Sequence, residues 1–354
     1  MPDALIEAIR SGHLPAVRKA IAADPKAARR ANAVVEAGGR GFQPALALLV
    51  KQGADLNASW KNYRALHNLI QTEPHKAAAA PSPERLACLD WLLANGADPE
   101  LSAAWPSARA IIVAAFVGRP EYVDRLRRAG ARIDGFAAAA LGDLDLLRRA
   151  LRDNPSLADA RDAGGLTALQ CAAGSRLPGA DVVNAARLLL DAGADLSART
   201  RSWAHDIDAV SLAAHAKNRA LFQLFLDRGA DPTEAFSTPV WDGSYELAEM
   251  ALEAGAIPDR ATANSKPLLN DLIRWGQIPQ TLWLLSRGAS PNVPDERGWT
   301  AVHQAASRGN LRLLEAALEA GGDPARRSHS GESPLDIAVQ NRREKLAARL
   351  AVSR

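Results

Sequence analysis

A glycine-centred triplet returns along this chain at near-regular intervals, and no other feature restricts the fold so strongly. Gly-Ala-Asp stands at Gly53-Ala54-Asp55, Gly96-Ala97-Asp98, Gly193-Ala194-Asp195 and Gly229-Ala230-Asp231. Looser copies begin at Gly130, Gly255, Gly288 and Gly321. From Gly53 onward the spacings are 43, 34, 63, 36, 26, 33 and 33 residues. The longest of these contains a degenerate copy ending at Asn154-Pro155, and an opening copy ends at Asp24-Pro25. Self-similarity at this period is the mark of a stacked repeat rather than of one large folded core.

A second glycine fixes the register. It lies 12 residues before the anchor in five copies, as Gly12, Gly118, Gly142, Gly276 and Gly309. Two glycine stops per period predict a short helix, a tight turn, a second helix and another stop, because glycine closes helices in the left-handed conformation. The intervening segments carry one apolar stripe each. Leu311, Leu314, Ala317 and Leu318 share a helix face, and Leu221, Leu224, Phe225 and, upstream, Leu212 behave alike. Pro, Asn, Asp and Gly follow each anchor and predict a turn.

The stretch Gly298-Trp299-Thr300-Ala301-Val302-His303-Gln304-Ala305-Ala306 resembles the G-x-T-P-L-H-x-A-A motif of the ankyrin repeat, whose period is about 33. Gly165-Leu166-Thr167-Ala168-Leu169-Gln170-Cys171-Ala172-Ala173 is a second copy, with Gln170 in the histidine place. Arg64-Ala65-Leu66-His67 and Glu332-Ser333-Pro334-Leu335-Asp336 are weaker ones. The resemblance runs over the whole chain and implies an all-α ankyrin-repeat solenoid of helix-turn-helix units with finger turns. The expectation is a degenerate, bacterial-type array of about eleven units. It is one domain over 1–354, with an N-terminal cap at 1–25, internal repeats at 26–328 and a C-terminal cap at 329–354. Insertions fall near 72–83, 174–181 and 199–208, and the unit ending at Gly255 is shortened. Such insertions map to loops, either as drift in a tolerant surface or as part of a binding face.

Composition narrows the function classes. Of 354 residues, 47% are hydrophobic and 23% charged, as in an ordinary folded protein. The longest apolar run, Ala110–Val117, is eight residues, well short of the roughly 18 a membrane span needs. The start, MPDALIEAIRSGHL, has no basic stretch followed by an apolar core. Cys88 and Cys171 form no C-x-x-C pair, which suits a reducing cytoplasm. Net charge is 43 − 40 = +3, too even to announce nucleic acid. The basic C-terminal segment (Arg326, Arg327, Arg342, Arg343, Lys345, Arg349) is the one feature pointing the other way. There is no G-x-S-x-G, Walker-type loop, dinucleotide fingerprint or metal-ligand spacing. Neither a cofactor nor a metal is expected.

The candidate recognition residues are aromatic and basic. Trp60, Trp105, Trp203, Trp241 and Trp299 fall between anchors and first helices, where the resemblance puts fingers beside a concave groove. Trp91 and Trp283 fall in second helices and should pack; Trp275 closes a first helix. Aligning copies on the downstream glycine puts His215, Arg274 and Ser307 at one position, with Trp275 and Arg308 at the next; Arg176 matches loosely. A line of Arg176, His215, Arg274 and Arg308 suits carboxylate or phosphate, or is a solvated rim of helix ends. The five tryptophans form an aromatic wall, or stack on one another.

The resemblance gives His67 and His303 a structural role, bonding backbone and the preceding threonine. His75 lies in an insertion, and His205 beside Asp206 and Asp208 suggests a histidine–carboxylate pair. The leading expectation is a non-catalytic scaffold that binds a protein or peptide in its Trp-rich groove. The alternative is a small-molecule-binding protein or enzyme, taking an anionic or aromatic ligand in a Trp/His/Arg pocket.

Overall fold

The computed structural model describes residues 3–72, 80–202, 205–259 and 267–352. They are helical throughout, with two short antiparallel hairpins as the sheet elements among them. Contacts divide the chain into two compact units, Met1–Leu221 and Phe222–Arg354.

The first unit holds α1 (Ala4–Arg10), α2 (Leu14–Ala23), α3 (Ala31–Gly39), α4 (Gln43–Lys51), α5 (Ala65–Gln71), α6 (Pro83–Ala94), α7 (Ala110–Val117), α8 (Pro120–Arg128), α9 (Gly135–Leu141), α10 (Leu144–Asp153), α11 (Ala168–Ala173), α12 (Val182–Asp191) and α13 (Ala209–His215). The division falls within α14 (Arg219–Asp227). The second unit continues with α15 (Pro232–Trp241), α16 (Tyr245–Glu253), α17 (Leu268–Trp275), α18 (Ile278–Ser286), α19 (Ala301–Arg308), α20 (Leu311–Glu319), α21 (Pro334–Gln340) and α22 (Glu344–Ala351).

Odd-numbered helices stack on odd, and even on even. In the first unit α1, α3, α5, α7, α9, α11 and α13 make one layer, while α2 on α4, α6 on α8 and α10 on α12 make another. In the second unit α17, α19 and α21 stack, as do α18, α20 and α22. This is the all-α, stacked-pair architecture of an ankyrin-repeat solenoid. First helices pack between neighbouring first helices, and α7 is the clearest case of an apolar helix so enclosed. Ala110 to Ala115 in α7 are all buried. Second helices bury one stripe. In α20 the buried face is Leu313, Leu314, Ala316 and Ala317, with Leu311 and Leu318 half-buried, so the stripe sits slightly off the expected one.

The glycine code has a direct cause. Gly118 ends α7 at φ 76° and Gly130 follows α8 at φ 86°, both left-handed. The Asp of Gly-Ala-Asp then folds the next turn through its own side chain. Asp55 Oδ1 accepts from Asn57 N at 2.8 Å, and Asp98 Oδ1 from Glu100 N at 2.8 Å. The residue two places on clamps the following repeat. Asn57 Oδ1 accepts from Asp98 N and its Nδ2 donates to the Gly96 carbonyl, both at 2.8 Å. Asn292 repeats this pair of bonds with Asp323 N and Gly321 O, each at 2.8 Å.

The histidine places diverge. In α19, His303 Nδ1 accepts from Thr300 N at 3.1 Å and lies 2.9 Å from Thr300 Oγ1, while Nε2 faces the Glu332 carbonyl at 3.3 Å. In α5, Arg64 occupies the threonine place, so His67 has no hydroxyl to bond. Its ring is fully buried and neither nitrogen has a hydrogen-bond partner among the described residues. Arg64 instead sends its guanidinium to the Asn57 carbonyl. Burial, and then the Arg64 charge, pull the His67 pKa down to about 4, although the Ala108 and Leu101 carbonyls partly oppose this.

The insertion at 174–181 is packed rather than free. Arg176 N donates to the Ala115 carbonyl at 2.9 Å, closing over the end of α7, and Asp181 caps α12. A Cβ built on Gly118 would meet Arg176 O at 2.7 Å. The lengthened turn at 199–208 is a hairpin of β3 (Thr200–Ser202) and β4 (His205–Ile207), longer than that of β1 (Ser102–Ala103) and β2 (Ala108–Arg109) in an earlier repeat. The insertion near 72–83, with His75, lies mostly outside the described residues.

Two outcomes follow. Gly130→Ala should cost about 1–2 kcal/mol, the left-handed penalty alone, since nothing lies within 4 Å of its Cβ. Gly118→Ala should cost clearly more in urea unfolding, by about 1–3 kcal/mol of added overpacking. His67 yields the second. The unfolded chain takes up a proton near pH 6.5 that the native ring refuses until about 4. Native stability should therefore fall as pH drops across that window, by up to roughly 3 kcal/mol. In His67→Leu the slope of unfolding free energy against pH between those values should flatten; an unchanged slope would show that His67 is not its source.

Candidate functional site

The fingers are built by local turn chemistry. Trp60 and Tyr63 exchange backbone bonds at 2.9 Å in both directions around Lys61 and Asn62, whose φ angles are 51° and 64°. Two positive φ values in a two-residue loop match the twist of a hairpin, and asparagine tolerates them best among non-glycines. Trp60 is 38% exposed, with the Lys61 ammonium 4.6 Å from its ring centroid. The next finger joins this one through backbone and amide. Ala104 N donates to Asn62 O at 2.8 Å, and Asn62 Nδ2 donates to Ala104 O at 2.6 Å. Trp105 stands half-buried in that finger, and its carbonyl accepts from Gln71 Nε2 at 3.0 Å.

In the second unit Trp299 is half-buried in a finger. Its ring stacks on His303 at 6.2 Å, and the Arg297 guanidinium covers it at 4.0 Å. Trp241 is a correction: it is the last residue of α15, not part of a finger. The Asp231 side chain accepts from Thr233 N at 2.8 Å and starts that helix directly at the anchor, so the repeat builds no hairpin. Trp283 lies in α18, stacked on Tyr245 at 4.8 Å, as packing requires. Trp203 lies outside the described residues.

The helix-end residues sit where the alignment puts them. His215 ends α13, Arg274 and Trp275 end α17, and Arg308 ends α19. Arg176 Nη2 donates to the His215 carbonyl at 2.6 Å, so these two meet in the first unit. In the second unit, Trp275 is 61% exposed, with Arg274 5.9 Å from its ring. The His205 side chain, and with it the suggested histidine–carboxylate pair, lies outside the described residues. Asp206 is 3.3 Å from Arg201, and Asp208 caps α13 reciprocally with Ser211. His205 itself contributes backbone pairing with Ser202.

Sequence reasoning passed over Arg109. It replaces the motif threonine ahead of α7 and is only 3% exposed. It contacts Glu100 at 2.9 Å, Asp134 at 2.5 Å and the Arg132 carbonyl at 3.0 Å. A buried guanidinium survives only with such pairing. The titrations that burial perturbs belong to packing. The Cys88 thiol is pushed up to about 11 and Cys171 well above its usual value, both by burial. Neither presents a thiolate for nucleophilic work. Burial also raises Asp162, whose Oδ1 organises a turn through Gly164 N at 2.9 Å and Leu166 N at 2.8 Å. At Asp295 burial acts upward, but bonds from Trp299 N and Arg297 bring the net shift down. Among the described residues no group of three His, Cys, Asp or Glu could hold a metal ion, and no helix is long and apolar enough to cross a membrane. Among the described residues the exposed aromatics are Trp60, in a finger, and Trp275, at a first-helix end.

Comparison with known proteins agrees with this architecture. Residues 269–353 match the family described as ankyrin repeats (3 copies). A putative ankyrin repeat-containing protein of Treponema pallidum (strain Nichols) is 32% identical over 125 residues, 35% of this chain and 42% of that protein. An ankyrin repeat-containing protein of Schizosaccharomyces pombe is 43% identical over 62 residues, 18% of this chain and 30% of its own length. The mitochondrial disaggregase of Homo sapiens is 29% identical over 167 residues, 45% of this chain and 23% of that protein. The chain thus spans less than half the length of these relatives. With the stacked helix pairs, the glycine stops and the histidine–threonine tie of α19, these matches make the chain an ankyrin-repeat-containing protein, similar to bacterial and eukaryotic proteins of that kind.

Proposed function

We propose that the protein is a non-catalytic recognition scaffold that holds a protein or peptide segment along its fingers and first-helix ends. The array would be a degenerate, bacterial-type one of about eleven helix pairs, working in a reducing cytoplasm. One observation carries the reading: exposed aromatic and cationic side chains stand at a finger and at first-helix ends, while the groups burial has perturbed are taken up in packing. Among the described residues Trp60 and Trp275 are the exposed aromatics, at 38% and 61%. Trp and Arg supply a disproportionate share of binding energy in protein interfaces. Trp105, Arg176 and His215 are further candidates in the first unit, and Trp241, Arg274, Trp299 and Arg308 in the second; Trp203 and His205 remain candidates from the sequence. A rigid stack can vary these positions without disturbing the core, because its stability resides in repeats and their interfaces.

The test is selection of a displayed random-peptide library on the purified chain. Selected peptides should lose about tenfold or more in affinity with Trp60→Ala or Trp275→Ala, the scale of an interface anchor. Arg148→Ala, an exposed second-helix position, should leave affinity unchanged. Thermal midpoints near wild type are expected for all three. Loss of binding only in Arg148→Ala, or no selectable peptide, would overturn the reading.

A further inference from the structure

We propose that the rim made by Arg274, Trp275, Arg308, Arg342 and Arg343 in the second unit binds an acidic peptide segment that also carries an aromatic or apolar side chain. The inference rests on the scaffold reading above and names its partner chemistry. Segments 274–277, 307–310 and 340–343 close the first helices α17, α19 and α21. They contain four arginines and no carboxylate. None of the four makes an ion pair among the described residues. Three other arginines of the same unit are engaged. Arg287 Nε bonds Glu249 at 2.6 Å, Arg297 pairs with Asp295 at 3.0 Å, and Arg327 reaches the Gly331 carbonyl at 2.5 Å.

Two of the rim cations also rest against backbone. A Cβ built on Gly276 would meet Arg308 Nη2 at 3.0 Å, and one on Gly309 would meet Arg343 Nε at 2.6 Å. Each of these two side chains therefore lies against the left-handed glycine that ends the preceding first helix. Backbone carbonyls at a helix C-terminus favour a cation there. A cation so seated has lost part of its freedom before any ligand arrives, which lowers the cost of binding. Guanidinium groups take carboxylates in two-point fashion. Trp275 stands next to Gly276 with most of its ring in solvent, and needs an apolar partner to bury it. Charge and indole together therefore fit an acidic chain with an apolar residue. A nucleic-acid strand fits less well. Between residues 267 and 352, eleven Lys and Arg face nine Asp and Glu, and one exposed indole makes no platform for successive bases.

The experiment uses the full chain and fluorescence anisotropy. The probe is a labelled peptide of glutamates interrupted by two phenylalanines. Its counterparts are the same peptide with glutamine for glutamate, and single-stranded oligothymidylate. The acidic peptide should bind and weaken as salt rises, and the glutamine peptide should not. Arg308→Glu, Arg343→Glu and Trp275→Ala should each weaken binding about tenfold, the scale of one charge-assisted or aromatic contact. Arg312→Glu, on the second helix of the same repeat, should not. Arg308→Gln keeps the size without the charge and should still weaken binding if the Glu variant unfolds. Equal binding of the glutamine peptide, unaltered affinity in the rim variants, or tighter binding of oligothymidylate would each overturn the proposal. Library peptides that depend on Trp60 or Trp299 but not on the rim would leave the scaffold reading standing while this one falls. Failure of both the library and the acidic peptide to bind would overturn both readings together.

Discussion

The structure depends on a small hydrogen-bonded rung between successive turns. A stack of two-helix units has no long sheet ladder to lock its register, and apolar burial alone is non-directional. Direction comes from side chains standing in for backbone. Asn57 reaches both the carbonyl of Gly96 and the amide of Asp98 at 2.8 Å. The Asn292 amide does the same for Gly321 and Asp323. Elsewhere a carboxylate substitutes with one bond. Asp159 accepts from Asp195 N at 3.1 Å and Asp259 from Ser290 N at 2.8 Å. The triplet is thus both the end of one helix pair and the receiving half of a clamp.

A second set of ties runs through the residue ahead of each first helix. Threonine or serine there closes a capping box, as Thr167, Thr300 and Ser333 do. Where arginine takes the place, the tie becomes electrostatic and reaches further. Arg109 crosses to Asp134, the cap of α9, while Glu100 holds its other side. Removing one partner of such a buried pair is costly, about 3–5 kcal/mol, because the other charge is stranded. The same substitution at Arg64 leaves His67 without a hydroxyl, and burial then keeps that ring neutral.

Much of this was legible from residues alone, and for a physical reason. Left-handed backbone is nearly confined to glycine, so Gly118, Gly130 and their counterparts announce helix ends wherever they stand. The placement of His215, Arg274, Trp275 and Arg308 at the ends of first helices follows from counting back from those stops. Trp241 was misplaced because the count assumes a hairpin in every repeat. Only the cap formed by Asp231 reveals that the helix begins at the anchor. The packed course of 174–181 was equally hidden. Arg176 fits because Gly118 offers bare backbone, a contact between residues 58 apart with no sequence signature. Exposure of indoles was the least readable property, since Trp275 and Trp283 differ only in what their neighbours cover.

A repeat that opens without a hairpin has a mechanical meaning. Elsewhere finger tips grip one another, as Asn62 grips Ala104 at 2.6 Å and His329 N grips the Arg297 carbonyl at 2.9 Å. The α15–α16 pair starts at Asp231 and offers no tip to hold. In the first unit α9 likewise begins at its Asp134 cap, so such a pair is tied to its neighbour by bonds borne on the helices themselves, as where Gln280 Nε2 donates to the Trp241 carbonyl at 3.2 Å.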